Sequence, residues 1–146
     1  MPRFSQTSEG RLDTCHQDLQ TLFHNVVKGF DCSVIHGHRT PEEQFILYQK
    51  GRKLVGTAWV IEDKSKGVTY KDGFISLSRH NSFPSTAVDV CPYPIDWGDI
   101  VRFKEFVSYV KGVADMLLRY GAIEHEIESG GSWSLNDWPH FQLKVK

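Results

Sequence analysis

No stretch of the 146 residues approaches the ~18 consecutive apolar positions of a membrane-spanning helix, so no insertion into a bilayer is expected. An excess of one charge is also missing. Seventeen Lys and Arg stand against 18 Asp and Glu, a net charge of -1, which lacks the electrostatic footprint of a nucleic-acid or acidic-membrane binder. Cysteine is scarce. Cys15, Cys32 and Cys91 are odd in number, scattered and without CxxC spacing, which argues against a disulfide framework and a Cys-based structural zinc site. Three reduced thiols are expected, at least two of them buried as small hydrophobes. The opening Met1-Pro2-Arg3-Phe4-Ser5-Gln6-Thr7-Ser8 has no apolar region of a secretory signal, so a protein made and first folded in the cytoplasm is expected. Repeats, low-complexity tracts and linkers are lacking as well. One domain over residues 1–146 is the expectation.

What is present suits a folded chain. Hydrophobic residues make up 40% and aromatics 12%, enough for a full core at this length and too many for a disordered chain. Leu19, Leu22, Phe23, Val26 and Phe30 recur at helical spacing. A short buried strand is read over 32–35. Thr40-Pro41-Glu42-Glu43 is a helix start, with Thr40 as cap, Pro41 at the first position and Glu43 closing a capping box. That helix is expected to turn Phe45 and Tyr48 inward and to stop near Gly51. Residues 51–86 are punctuated by Gly56, Gly67, Gly73 and Pro84, with β-like pieces at 59–61 and 74–76. A strand is read over 87–91. The clearest helix runs from Val101 to Tyr120, with Phe103, Phe106, Val107, Val110, Val113, Ala114, Leu117 and Leu118 on one face and Gly121 to end it. The tail is β-like at 122–127 and 140–145. Together these elements predict an α+β fold with a small, mostly antiparallel sheet.

Two segments place an ionisable residue opposite an aliphatic stripe. In Ala87-Val88-Asp89-Val90-Cys91, Val88 and Val90 face the core and Asp89 the other side, nine residues after His80 of Ser78-Arg79-His80. In Asp137-Trp138-Pro139-His140-Phe141-Gln142-Leu143, Pro139 biases Trp138 to an extended backbone. Phe141, Leu143 and Val145 then take the core face, and His140 the opposite face with Gln142 and Lys144. Adjacent strands built this way aim Asp89 and His140 into one groove. With His80 they would form a two-imidazole, one-carboxylate zinc set that leaves a position open for water. The competing interpretation keeps His80 in a loop, Asp89 in a turn network and His140 at a strand edge. Asp137 is placed as a general base or as a partner orienting a ligand histidine. Arg39, in Gly37-His38-Arg39-Thr40-Pro41-Glu42-Glu43-Gln44, abuts a capped helix start, where it could bind an anion or pair with a local Glu.

Taken in order, these blocks are similar to one family. Gly37-His38-Arg39-Thr40 with Gln44, Ser78-Arg79-His80-Asn81 leading to Ser85-Thr86-Ala87-Val88-Asp89, Pro92-Tyr93-Pro94-Ile95-Asp96-Trp97, Gly130-Gly131-Ser132-Trp133 and Asp137-Trp138-Pro139-His140-Phe141 resemble the M15 family of zinc peptidases. The phage endolysin branch, the L-alanyl-D-glutamate peptidases, fits best, since the nine-residue separation of His80 and Asp89 is longer than the family's short form. The resemblance implies a Hedgehog/DD-peptidase-like fold with helices packed on one face of the sheet. It implies Zn2+ held by His80, Asp89 and His140, Asp137 as the catalytic acidic residue, and Arg39 holding the substrate and polarising its carbonyl. Ser78 would bind substrate or support His80, Gln44 is a weaker candidate for the substrate groove, and Trp133 would stack on substrate or close the core edge.

The implied function is an endopeptidase of peptidoglycan that cleaves the L-Ala–D-Glu bond of stem peptides during bacterial lysis. The alternatives are a D-alanyl-D-alanine carboxypeptidase of the same fold and a non-catalytic zinc domain that binds cell wall. The stem peptide is the expected partner and a monomer the expected state. The protein would stay in the cytoplasm until the membrane is permeabilised and then reach the wall. Other residues are expected to stand aside. Glu124-His125-Glu126 is not HExxH and reads as a solvated strand. His36 and His38 would line the groove without ligating. Trp138 is a weaker stacking candidate than Trp133, and Cys91 shares the face of Asp89 without being needed as a ligand.

Overall fold

The computed structural model describes residues 1–145. Helix α1 (Gln6–Leu12) is capped by Ser5, whose hydroxyl accepts the Ser8 N–H, and helix α2 (Gln17–Gly29) buries Leu19, Leu22, Phe23, Val26 and Val27. This three- and four-residue spacing is what makes one helical face apolar. Strand β1 (Cys32–His36) follows, then helix α3 (Pro41–Gln49) with the expected capping box. Thr40 Oγ1 accepts the Glu43 N–H and Glu43 Oε1 accepts the Thr40 N–H. A hairpin of β2 (Arg52–Val55) and β3 (Ala58–Ile61) stands apart as its own two-stranded sheet. Strand β4 (Ala87–Pro92), helix α4 (Ile100–Arg119), and strands β5 (Ile127–Ser129) and β6 (His140–Leu143) complete the chain.

The main sheet is antiparallel throughout, in the order β1-β4-β6-β5. Its register decides what each face carries. Val88 lies opposite Phe141, and Asp89 opposite His140. Directly opposed residues point to the same face, and the face alternates along each strand. Val34, Val88, Val90, Phe141 and Leu143 therefore enter one core with α2 and α4, where Phe141 meets Phe23 at 5.3 Å and Phe106 at 6.0 Å between ring centroids. Asp89 and His140 emerge together on the other face. An irregularity between Val34 and His36 brings His36 opposite Asp89 as well. The architecture is thus α+β, with α2 and α4 packed on one face. No described helix is long and apolar enough to cross a membrane.

Several local expectations shift. The tail strand at 122–127 is displaced to Ile127–Ser129, because Asp18 takes the backbone N–H groups of Glu124 and His125 and removes them from any ladder. Residues 124–126 are accordingly a loop. The last strand stops at Leu143, leaving Val145 exposed rather than in the core. Residues 74–76 form a turn, not a strand, since Asp72 Oδ1 accepts the N–H groups of Phe74, Ile75 and Ser76. On α3 the fully buried residue is Gln44. Phe45 and Tyr48 instead form a satellite cluster, Phe45 packing on Trp59 of the hairpin and on Phe74. All three cysteines are free and buried.

Candidate metal centre and active site

Three elements bring His80, Asp89 and His140 together. β4 and β6 supply Asp89 and His140 as directly opposed partners. His80 comes from a single 3-10 turn (Arg79–Asn81) capped by Ser78, whose Oγ accepts the His80 N–H at 3.2 Å. This turn is stitched to the β1–α3 loop. Arg39 N–H donates to His80 O at 2.7 Å, and Asn81 Nδ2 donates to Arg39 O at 2.9 Å. Gly37 passes so close to α1 that a Cβ there would run into the Arg11 carbonyl and Thr14 Oγ1. That close approach sets the Gly37 carbonyl where His80 Nδ1 meets it at 2.8 Å.

The hydrogen bonds decide both tautomers. A carbonyl only accepts, so His80 Nδ1 carries the proton and Nε2 keeps its lone pair. Gln142 Nε2 donates to Glu128 Oε2 at 2.7 Å, which turns Gln142 Oε1 towards His140 Nε2 at 2.8 Å. His140 Nε2 therefore carries the proton and Nδ1 keeps its lone pair. The two free nitrogens face the same atom: Asp89 Oδ1 lies 3.4 Å from His80 Nε2 and 3.3 Å from His140 Nδ1. Asp89 Oδ1 is buried and has no hydrogen-bond partner among the described residues. With both rings neutral, three donor atoms lie within 4.8 Å of one another with no proton to share, an arrangement that a cation completes. The nitrogen and carboxylate donors, and the outer partners that fix both rings, suit zinc.

Charge at the site follows. Burial pushes the Asp89 carboxyl up, but the facing imidazoles of His140 and His80 prevail and hold it well below the usual carboxylate range. Burial pushes His140 down, and Asp89 and Gln142 more than offset this, so its pKa lies above the ordinary value. Asp137 sits at the mouth with its Oδ2 3.9 Å from His140 Nδ1 and its side chain 49% exposed. Burial of its carboxyl and the neighbouring Asp89 push its pKa up, a shift limited by solvent screening and of the right direction for a group that accepts a proton. Arg39 Nη2 lies 3.6 Å from Asp89 Oδ2, and Nη1 donates to Gln44 Oε1 at 2.8 Å.

A second group, His16, Asp18 and His125, also has donor atoms within 4.8 Å, but His16 Nδ1, Asp18 Oδ2 and His125 Nδ1 are already engaged within it. His16 Nδ1 accepts the Asp18 N–H at 3.0 Å. Asp18 Oδ2 takes His125 Nδ1 at 2.7 Å and the N–H groups of Glu124 and His125 at 2.9 and 3.0 Å. It is a helix cap and a loop clamp. Burial pushes the Asp18 carboxyl up, yet the hydrogen bonds from His125 and the two backbone N–H groups bring it below the usual range. A carboxyl depressed in the folded state contributes stability that is present above its unfolded pKa and lost as pH falls through the folded value. Asp18→Ala is expected to lose about 1–3 kcal/mol in urea unfolding at pH 7, with the loss shrinking below about pH 4. A difference independent of pH would assign the effect to something other than this clamp.

His80, Asp89, His140, Asp137, Arg39, Gln44, Ser78 and Trp133 all line one cleft of about 450 Å³. Trp133 packs against His140 with centroids 4.9 Å apart, whereas Trp138 packs on the core. His38 bonds to the Ser82 carbonyl and stacks edge-on with Phe83. The Cys91 thiol is pushed up to about 12, first by burial and then by Asp89 and Asp137, and so stays protonated. Sequence reasoning missed the Gln142–Glu128 pair and the Gly37 carbonyl. Strand alternation already placed Gln142 on the His140 face, but nothing local pointed to Glu128. Gln142→Leu is expected to weaken the affinity of this site for a metal ion about 10–100-fold in a chelator competition, because His140 loses the acceptor that fixes its ring. Unchanged affinity would show that packing alone orients His140.

No protein-family model matches the chain. No curated protein matches it either. Among solved structures it is similar to the crystal structure of the L-Ala D-Glu endopeptidase ChiX of Serratia marcescens, with a TM-score of 0.67 and 23% sequence identity over 98% of this chain and 91% of that one. At that identity the likeness shows the fold.

Proposed function

We propose that this protein is a zinc-dependent peptidase that cleaves the L-Ala–D-Glu bond of peptidoglycan stem peptides, as in the phage endolysin branch of the M15 family. The observation that carries the reading is the orphaned Asp89 Oδ1 between two imidazole lone pairs, with Asp137 and Arg39 at the rim of the same cleft. The fold shared with an L-Ala D-Glu endopeptidase supports the choice of bond.

His80 Nε2, Asp89 Oδ1 and His140 Nδ1 would hold the zinc. Zinc there would act as a Lewis acid on a carbonyl oxygen and lower the pKa of a water towards ~7. Asp137 takes a proton from the attacking water as the oxygen adds to the L-Ala carbonyl carbon. It then delivers that proton to the D-Glu nitrogen as the C–N bond breaks, giving a free carboxyl and a free amine. Arg39 keeps a guanidinium at the cleft wall, fixed by Gln44 and Asp89, where it orients the carbonyl and stabilises the charge that develops on its oxygen. Ser78 supports His80 through the turn cap, and Trp133 offers an aromatic wall to the peptide. In the lytic role the enzyme meets its substrate once the membrane is permeabilised, and it works as a monomer.

The test is mass spectrometry of purified peptidoglycan digested with the zinc-loaded protein. New L-Ala carboxyl termini and D-Glu amino termini are expected. Release of D-Ala alone would make it a carboxypeptidase. Zinc binding at one equivalent without any cleavage would make it a binding domain and remove Asp137 from its role.

A further inference from the structure

The cleft holds more positive charge than the proposed reaction uses. Arg39, Lys71 and Arg79 all line it. The Arg39 guanidinium, held by Gln44 and Asp89, is assigned to the reacting carbonyl. Lys71 and Arg79 are exposed, and among the described residues neither forms an ion pair.

Both stand on a held backbone, but Arg79 is held by its own turn, its carbonyl accepting from Thr86 Oγ1 at 3.2 Å, whereas Lys71 is tied to Arg39. Lys71 stands on a rigid base. Gln44, only 1% exposed, donates from Nε2 to the Lys71 carbonyl at 2.8 Å while its Oε1 accepts from Arg39. One buried amide therefore spaces the two cationic residues across the cleft. The Lys71 N–H donates to Thr69 Oγ1 at 3.2 Å. Asp72 Oδ1 gathers the next three free N–H groups, those of Phe74, Ile75 and Ser76. Gly73 has φ +90° and lies so close to α3 that a Cβ would sit 2.6 Å from the Pro41 carbonyl and 2.8 Å from Gln44 Cβ. The segment is docked on the start of α3, and among the described residues the Lys71 ammonium has no hydrogen-bond or ion-pair partner.

A lysine on a fixed backbone at the wall of a cleft suits an incoming carboxylate. The proposed substrate has one. A glutamate inside a peptide spends one of its two carboxyls on the next amide bond and keeps the other free, whichever carboxyl is used. We infer that Lys71 is a specificity-determining residue that receives the free carboxylate of the D-Glu residue at the cleaved bond. The inference rests on the peptidase reading above and adds to it a discrimination between free and amidated stem peptides.

Two synthetic stem peptides that differ only in this group, carboxylate against primary amide, test it with the zinc-loaded wild-type protein and with Lys71→Met and Lys71→Arg. The wild type is expected to prefer the carboxylate peptide about tenfold or more in kcat/KM, the scale of a charge-assisted hydrogen bond. Lys71→Met should erase most of that preference, mainly through KM on the carboxylate peptide, with a much smaller change on the amide peptide. Lys71→Arg should restore a large part of it, and added salt should narrow the wild-type preference. Equal cleavage of the two peptides by the wild type, or an equal loss on both in Lys71→Met, overturns the role of Lys71 and leaves the peptidase reading standing. Failure of the wild type to cut either peptide between L-Ala and D-Glu overturns the peptidase reading itself, and the Lys71 assignment with it.

Discussion

Asp89→Ala should abolish stoichiometric zinc binding and reduce peptidoglycan cleavage to background. Asp89 Oδ1 is the one anionic donor between His80 Nε2 and His140 Nδ1, and its second oxygen faces Arg39. Removing the carboxylate leaves two neutral imidazoles with a nearby guanidinium, a field that repels a cation. Zinc affinity should fall by at least about 100-fold, in line with the dependence of such sites on their full ligand count. Thermal unfolding gives a reading independent of activity. A ligand that binds only the folded state stabilises it by about 4 kcal/mol at a thousandfold excess over its Kd. Wild-type protein should gain stability with added zinc, and Asp89→Ala should not. A variant that still bound one equivalent tightly would displace Asp89 from the ligand set.

The second large effect separates chemistry from metal binding. Asp137→Ala should keep one equivalent of zinc and lose turnover by about 10²–10⁴-fold, the usual contribution of a positioned general base. The side chain lies at the open rim, half exposed and 3.9 Å from His140, so its loss leaves the buried donor set intact. Metal content by elemental analysis and kcat on a stem peptide, measured on the same sample, provide the two readouts. Near-normal turnover would sink the general-base assignment. Loss of zinc together with activity would instead make Asp137 an orienting partner of His140.

Parts of this arrangement are legible along the chain. The Thr40–Glu43 capping box, the α4 face from Phe103 to Leu117 and the alternation in β4 and β6 all depend on residues within a turn or two of one another. Short-range sterics and local hydrogen bonds decide such features, and they leave a period or a spacing that can be read. Alternation was enough to put Asp89 and His140 opposite the aliphatic stripe. It was not enough for 124–126 or 74–76, where the Asp18 and Asp72 carboxylates capture backbone N–H groups that propensity assigned to strands.

By itself, then, the sequence determined the α+β class, the helix caps, the apolar faces and which ionisable side chains point away from the core. Only the tertiary structure decided that Asp89 pairs in register with His140, that the Gly37 carbonyl 43 residues away sets the His80 tautomer, that Glu128 fixes His140 through Gln142, and that Gln44 spaces Arg39 from Lys71. The reason is physical. Those contacts join segments distant along the chain, and their geometry comes from how the elements pack, which leaves no periodic trace in the order of the residues.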